Sequence, residues 1–241
     1  MKIFLAGTNS LKNYPQEFGK INYILESFYS IKNWQLPLIK QCKMFLLDSG
    51  AFTFMNSFKG EVNWDDYIER YAKFINDNNI DYFFELDIDC LVGIEEVERL
   101  RHKLESLTQK KCIPVWHKSR GLDYWKRITK EYSYVAIGGI VTKEITKTDY
   151  KNFKLMLEIA KRNMCNVHAL GFTNTLLLNK YKFFSVDSTS WTSGTRFGSI
   201  AIFKNKCIKN YKFNNMRAKK KIQLHNLSEW IKFQQYADKF L

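Results

Sequence analysis

FFSVDSTSW, residues 183–191, joins an apolar run to one carboxylate, a string of hydroxyls and a tryptophan. FFSV reads as the end of a buried strand, and Asp187 is then the first residue to leave it. The same grammar recurs along the chain. Short apolar runs stand at Ile3–Ala6, 44–47, 81–86, 112–116, 134–137, 165–170, 183–186 and 199–203. They are continuous rather than alternating, the pattern of parallel strands buried on both faces. Amphipathic helical patterns lie between several of them. Residues 63–79 carry a stripe of Tyr67, Ile68, Tyr71, Phe74 and Ile75 behind an Asn63 N-cap. Residues 94–107 repeat the device with Val97, Leu100, Leu104 and Leu107, and 148–162 with Phe153, Met156, Leu157 and Ala160. Eight strands interleaved with helices predict an α/β fold, a TIM-like (β/α)8 barrel with some connections cut short, for example at 172–182. A doubly wound open sheet is the competing arrangement. No linker or repeat divides the chain. The expectation is one barrel over residues 1–205, followed by a basic extension, 206–241, whose last helix near 228–240 packs on the barrel.

Composition narrows the function. Hydrophobic residues make up 45% of the chain and aromatics 16%, which excludes a disordered protein. There are 38 Lys and Arg against 24 Asp and Glu, a formal charge of +14. Such a field favours a phosphate-bearing partner, nucleic acid above all. Drift toward Lys, Asn, Ile and Phe in an AT-rich genome is the bland alternative. The five cysteines, Cys42, Cys90, Cys112, Cys165 and Cys207, are odd in number and mostly inside apolar runs. They read as reduced core thiols of a cytoplasmic protein. No CxxC or HxxxH cluster offers structural zinc, and no apolar run approaches the ~18 residues of a membrane span.

Polar residues stand directly after the strands: Gly7, Asp48 in LLDSGAFT, Asp87 and Asp89 in ELDIDC, His117 in PVWHKS, Gly138 and Gly139 in AIGGI, Gly171 in HALGFT, and Asp187. In a parallel barrel these positions share the C-terminal rim, where such folds build their sites. One Asp after a strand is ordinarily a helix cap or turn former. Four acids, a histidine and a diglycine on one rim point to chemistry. His117 is the one histidine placed there, so a metal centre is not expected, nor any other cofactor. Without a metal, several acids suit nucleophilic attack and general acid/base work at an anomeric carbon. Carboxylate plus the close-approaching backbone N–H groups of a diglycine match the N1–H, N2–H2 and O6 edge of guanine.

These stretches resemble the tRNA-guanine transglycosylases. LLDSGAFT is similar to their DSGGFQ signature, AIGGI to their AIGGL strand end, HALGFT to their HYLMGVG segment, and SVDSTSW stands where they carry the nucleophilic Asp. The order agrees, and the resemblance spans about residues 1–205. It implies a barrel enzyme that breaks the N-glycosidic bond of a guanosine, holds the ribose on an Asp and installs a 7-deazaguanine as second substrate. The chain departs from the family in lacking the CxCxxC…H zinc subdomain, in its length, and in PVWH, where His117 stands in for a glutamine that contacts guanine O6. It is most similar to the compact zinc-free phage and bacterial enzymes that modify DNA, so DNA is favoured over tRNA, and the location is the cytoplasm, that of the host for a phage protein.

The resemblance implies Asp187 as nucleophile and Asp48 as general acid/base. Asp87, or in the other register Asp89, pairs with the guanine edge. Gly138 and Gly139 supply donors, His117 faces O6, Phe52 stacks on the base, and Ser49 and Gly171 complete the substrate site. Ser188, Thr189 and Ser190 are expected to aim Asp187. Trp191, Arg196, Arg217, Lys219, Lys220 and Lys221 are the expected nucleic-acid contacts. Base exchange on tRNA and a non-catalytic nucleic-acid-binding barrel are the alternatives, and a partner protein or a homodimer is left open.

Overall fold

The computed structural model describes residues 1–57, 62–193, 197–212 and 219–241. Seven strands, β1 (Lys2–Ala6), β2 (Tyr23–Ser27), β3 (Met44–Asp48), β4 (Val115–Trp116), β5 (Tyr134–Ile137), β6 (Asn166–Ala169) and β7 (Ser185–Ser188), form one parallel sheet. Their order is β3-β2-β1-β7-β6-β5-β4. The sheet is curled as in a TIM-like half-barrel. Between its edges run Phe83 and Phe84, which make single parallel bridges to Leu47 on one side and Ile113 on the other. The expected strand 81–86 is thus reduced to two bridges.

Two expectations are corrected here. The run 199–203 is no part of the parallel sheet. It lies in β8 (Ser199–Lys204), which pairs antiparallel with β9 (Cys207–Lys212) as a separate hairpin. The missing member is β2, whose sequence YILES breaks its apolar run with Glu26 and is too short to stand out. The turn of the hairpin, Asn205 and Lys206 with positive φ, spans the expected division at residue 205.

Alternation along each strand explains the continuous apolar runs. Phe4, Ala6, Tyr23, Leu25, Leu46, Phe84, Ile113, Val115 and Ala136 cluster together on one face. Their neighbours Ile3, Leu5, Ile24, Val135, Ile137, Val167 and Val186 belong to a second cluster with the helices. Both faces are therefore buried, as parallel strands require.

Helix α1 is Leu36–Ile39, α2 Ala51–Ser57, α3 Trp64–Asp77, α4 Asp89–Val92, α5 Ile94–Thr108, α6 Gly121–Glu131 and α7 Phe153–Arg162. Asn63 caps α3 by accepting the Asp66 N–H at 3.1 Å, with Asp65 and Asp66 in the first turn, as the helix dipole favours. Leu107 stays exposed at the end of the α5 stripe, and Cys90 is exposed although it was expected in the core. No helix follows β6 between residues 172 and 182.

The C-terminal helix α8 (Lys219–Phe240) begins earlier than expected, with Lys219, Lys220 and Lys221 of the basic run in its first turn. It is fastened by the fully buried Gln234, whose amide donates to the Ile3 and Tyr23 carbonyls (2.7 and 3.1 Å) and accepts the Asn22 N–H at 2.8 Å. Among the described residues no helix is long and apolar enough to cross a membrane.

Candidate active site

Because all seven strands run the same way, their C-terminal ends open on one cavity of about 820 Å³. That is within the ~300–1,000 Å³ of small-molecule sites. Gly7 enters it after β1, Glu26 and Ser27 from β2, Asp48 from β3, Asp87 after the bridging segment, His117 after β4, Gly138 and Gly139 after β5, Gly171 after β6 and Asp187 from β7. Phe52, half exposed at 49%, stands on the same lining.

Asp187 is held from behind. Its Oδ1 accepts the Gly171 N–H at 2.6 Å and faces His168 Nε2 at 3.2 Å. His168 Nδ1 meets Ser185 Oγ at 2.6 Å, and Ser185 Oγ meets the Tyr134 hydroxyl at 2.5 Å. Burial pushes the Tyr134 phenol up, so it keeps its proton. Tyr134, Ser185, His168 and Asp187 thus form one continuous hydrogen-bonded chain leading from the core to the cavity. Among the described residues Oδ2 of Asp187 has no hydrogen-bond partner. The hydroxyls after it do not aim it, contrary to expectation. Ser188 Oγ accepts the Ser190 N–H, and Thr192 turns its hydroxyl to the Thr189 carbonyl. The signal for the true support was His168, a fully buried polar residue set between Val167 and Ala169 in its strand.

Asp87 Oδ2 lies 2.9 Å from His117 Nε2, and His117 Nδ1 lies 3.0 Å from Glu144 Oε2. With a carboxylate on each ring nitrogen the imidazole must donate twice. Burial alone would lower its pKa, but the hydrogen bond and charge of Asp87 outweigh burial and raise it to about 9. The two glycines make room for this relay. A Cβ on Gly138 would stand 2.7 Å from the His117 ring, and one on Gly139, where φ is +80°, would stand 2.8 Å from Glu144 Oε2. The Gly138 N–H donates to the Trp116 carbonyl at 2.8 Å, so it is committed to the sheet instead of to a ligand. His117 stands on the lining with both ring nitrogens already engaged by carboxylates, which leaves it placed to orient Asp87.

Asp48 Oδ2 accepts the Gly50 N–H at 3.0 Å. Burial first, then the charges of Asp87 and Asp187, raise its pKa to about 7. Glu26 is a further residue that sequence reasoning missed, beside His168 and Glu144. It is 2% exposed, and its Oε1 accepts the backbone N–H and the hydroxyl of Thr8, each at 2.5 Å. Burial raises it to about 7 despite those bonds.

A consequence for stability follows from Glu26. Below pH ~4.5 it is protonated in folded and unfolded chains alike. As pH rises toward 7 only the unfolded chain ionises, so the folded state loses stability across this window. Glu26→Gln removes that dependence. Its stability relative to the wild type should be more favourable at pH 8 than at pH 4 by about 3 kcal/mol, from ~1.4 kcal/mol per unit. Urea unfolding at the two pH values measures the difference, and an unchanged difference would contradict the assignment.

Several expected residues lie elsewhere. Asp89 is turned away from the cavity and forms a two-point ion pair with Arg120 (3.1 and 2.9 Å). The register in ELDIDC therefore puts Asp87 in the site. Ser49 is fully buried, its Oγ accepting the Ala51 N–H at the start of α2. Trp191 is fully buried too, its indole donating to the Ala6 carbonyl at 2.8 Å, so it is a core residue and not a nucleic-acid contact. Lys219, Lys220 and Lys221 are exposed at the start of α8. Arg196 and Arg217 lie outside the described residues.

No protein-family model and no curated protein matches the chain. What the arrangement can do is read from its own chemistry. One acid is oriented with an oxygen to spare, one is poised to exchange a proton near neutrality, and one is paired to an imidazolium. Carboxyls pushed into such different environments are suited to separate nucleophile and acid/base roles. Among the described residues no group of three or more His, Cys, Asp or Glu is arranged to hold a metal ion.

Proposed function

We propose that this protein is a guanine transglycosylase that exchanges guanine in a polynucleotide, DNA by preference, for a 7-deazaguanine. The observation that carries the reading is the pairing of Asp187 and Asp48 in one cavity, the first held by His168 and Gly171 and the second raised to about 7. Asp187 Oδ2 attacks C1′ as the bond from C1′ to guanine breaks, and the departing base takes up the proton of Asp48. The sugar is left esterified to Asp187. An incoming 7-deazaguanine then gives its proton back to Asp48 and displaces the carboxylate, with retention at C1′ after two inversions. Asp87, steadied by His117 and Glu144, accepts from the N1–H and N2–H2 edge. A purine must leave its stack to reach these groups, so a flipped or single-stranded nucleotide is the substrate. We also read the curled sheet as a TIM-like barrel of eight members, with Phe83 and Phe84 as its shortened fourth.

The test is incubation with labelled guanine and duplex DNA, single-stranded DNA or tRNA in turn. Label is expected in DNA. Label in tRNA alone would move the reaction to RNA, and label in none of the three would overturn the reading.

A further inference from the structure

Between Asp187 and Glu229 the chain contains no Asp or Glu, yet it carries nine Lys and Arg. This acid-free stretch includes the β8–β9 hairpin, and the hairpin is two-faced. Ala201, Phe203 and Ile208 face the molecule, with Ala201 and Ile208 buried. The cross-strand partners Ile202 and Lys209, together with Lys204 and Tyr211, project to solvent, Tyr211 at 50% exposure.

The inner face is fastened with polar bonds. Asn226 of α8, fully buried, accepts the Ala201 N–H and donates to the Ser199 carbonyl, both at 2.8 Å. Glu229 accepts the Phe203 N–H at 2.7 Å. The hairpin is therefore a ribbon pinned on its inner face, and among the described residues its outer face carries no packed element. Its charges are uncompensated too. The lysines of α3, α5 and the following loop are matched by acids, as in Lys73–Asp77, Lys103–Asp65 and Lys110–Asp81. Among the described residues Lys204, Lys206, Lys209 and Lys212 have no acidic partner, nor do Lys219, Lys220 and Lys221.

The ribbon borders the cavity. Thr175 Oγ1 accepts the Ile208 N–H at 3.0 Å, which ties β9 to the loop that carries Gly171 and Thr173 on the lining. On the other side Gln223, one turn into α8, donates to Ser10 at 2.7 Å, beside the lining residue Asn9.

We infer that the outer face of the β8–β9 ribbon, continued by the first turn of α8, is the surface on which the sugar–phosphate backbone of the polynucleotide docks. The occupant follows from charge complementarity: a row of unpaired cations interleaved with a tyrosine and isoleucines fits a polyanion, and an aromatic among lysines can meet sugar or base. Phosphate contacts of this kind set the register of a nucleic acid without reading its sequence. The inference rests on the proposed polynucleotide substrate and adds where that substrate is held.

The test is a triple variant, Lys204→Glu and Lys209→Glu on the outer face and Lys206→Glu at the hairpin turn, beside the wild type. Binding of labelled duplex DNA, single-stranded DNA and tRNA is followed by fluorescence anisotropy over a range of salt. Three lost phosphate contacts should weaken binding at least about tenfold at ~0.1 M salt and flatten the log–log salt slope by about two to three. The corresponding Gln triple variant, without charge reversal, should fall between, and it takes the place of the Glu variant if thermal unfolding shows that the latter does not fold. Wild-type affinity and slope in the variants would overturn the docking surface. If the wild type binds and the variants do not, yet the wild type exchanges no guanine, the surface stands and the transglycosylase reading falls. If the wild type binds none of the three nucleic acids, both fall.

Discussion

Asp187→Ala should lower guanine exchange by roughly 10³-fold or more while the protein stays folded. The size of the effect comes from the role: without a carboxylate no ester to C1′ can form, and what is left is positioning by the cavity. A dull alternative exists for any acid at a strand end, since a helix cap is worth ~1 kcal/mol and nothing in turnover. The geometry disfavours it. The turn after β7 is capped at Thr189 with no side-chain bond, and Asp187 instead faces His168 and the Gly171 N–H. Removing its carboxylate leaves those two donors without an acceptor, a stability cost on the order of 1–3 kcal/mol. Asp187→Asn keeps an oxygen for them and should recover much of that stability but none of the exchange. The two variants therefore separate the chemical from the structural role. The wild type should also form a covalent adduct with its polynucleotide when the incoming base is withheld, seen as a shifted band under denaturing conditions. An Asp187→Ala protein that still exchanges guanine would remove Asp187 from the reaction.

Glu85→Leu should destabilise the protein by about 3–5 kcal/mol, because it takes the shared buried carboxylate from two buried guanidinium groups and leaves each with one partly exposed acid, Glu98 for Arg101 and Asp89 for Arg120. Glu85 is fully buried, and Arg101 and Arg120 are nearly so. Its Oε2 accepts from Arg101 at 3.0 Å, while Oε1 accepts from Arg120 at 2.7 Å and from the Val115 N–H at 2.9 Å. Arg120 also pairs with Asp89, and its backbone N–H donates to the His117 carbonyl at 3.0 Å. The network thus ties the residue two before Asp87 to the start of the turn that carries His117. Exchange should fall along with stability as the relay loosens. The exposed ion pairs between α3 and α5 give the contrast. Asp65→Ala breaks contacts to Arg99 and Lys103, but both sit in high dielectric, and the expected change in stability is small beside that of Glu85→Leu. Denaturant unfolding of both variants checks the pair. A loss under about 1 kcal/mol for Glu85→Leu would mean the buried charges are relieved by water or by rearrangement.

The acids that matter most were legible in the chain. Apolar runs such as FLL and FFSV are local patterns, and the residue that ends such a run must emerge at one end of a parallel sheet. That is why Asp48, Asp87 and Asp187 could be named together, and why α3 and α5 could be drawn from their stripes. Tertiary structure alone decided what depends on residues far apart in sequence. Asp87 and Asp89 are equivalent by pattern, and Arg120, 31 residues beyond Asp89, assigns them by claiming the second. His117 could have served a ligand until Glu144, 27 residues on, took its other nitrogen. Strand β2 was hidden because a buried glutamate interrupts its apolar signal, and that glutamate is met by Thr8 from another strand's end. The run 199–203 has the apolar content of a barrel strand. It became a hairpin because β9 and α8 supply partners for its backbone and its inner face, a choice made by packing partners and not by the run itself.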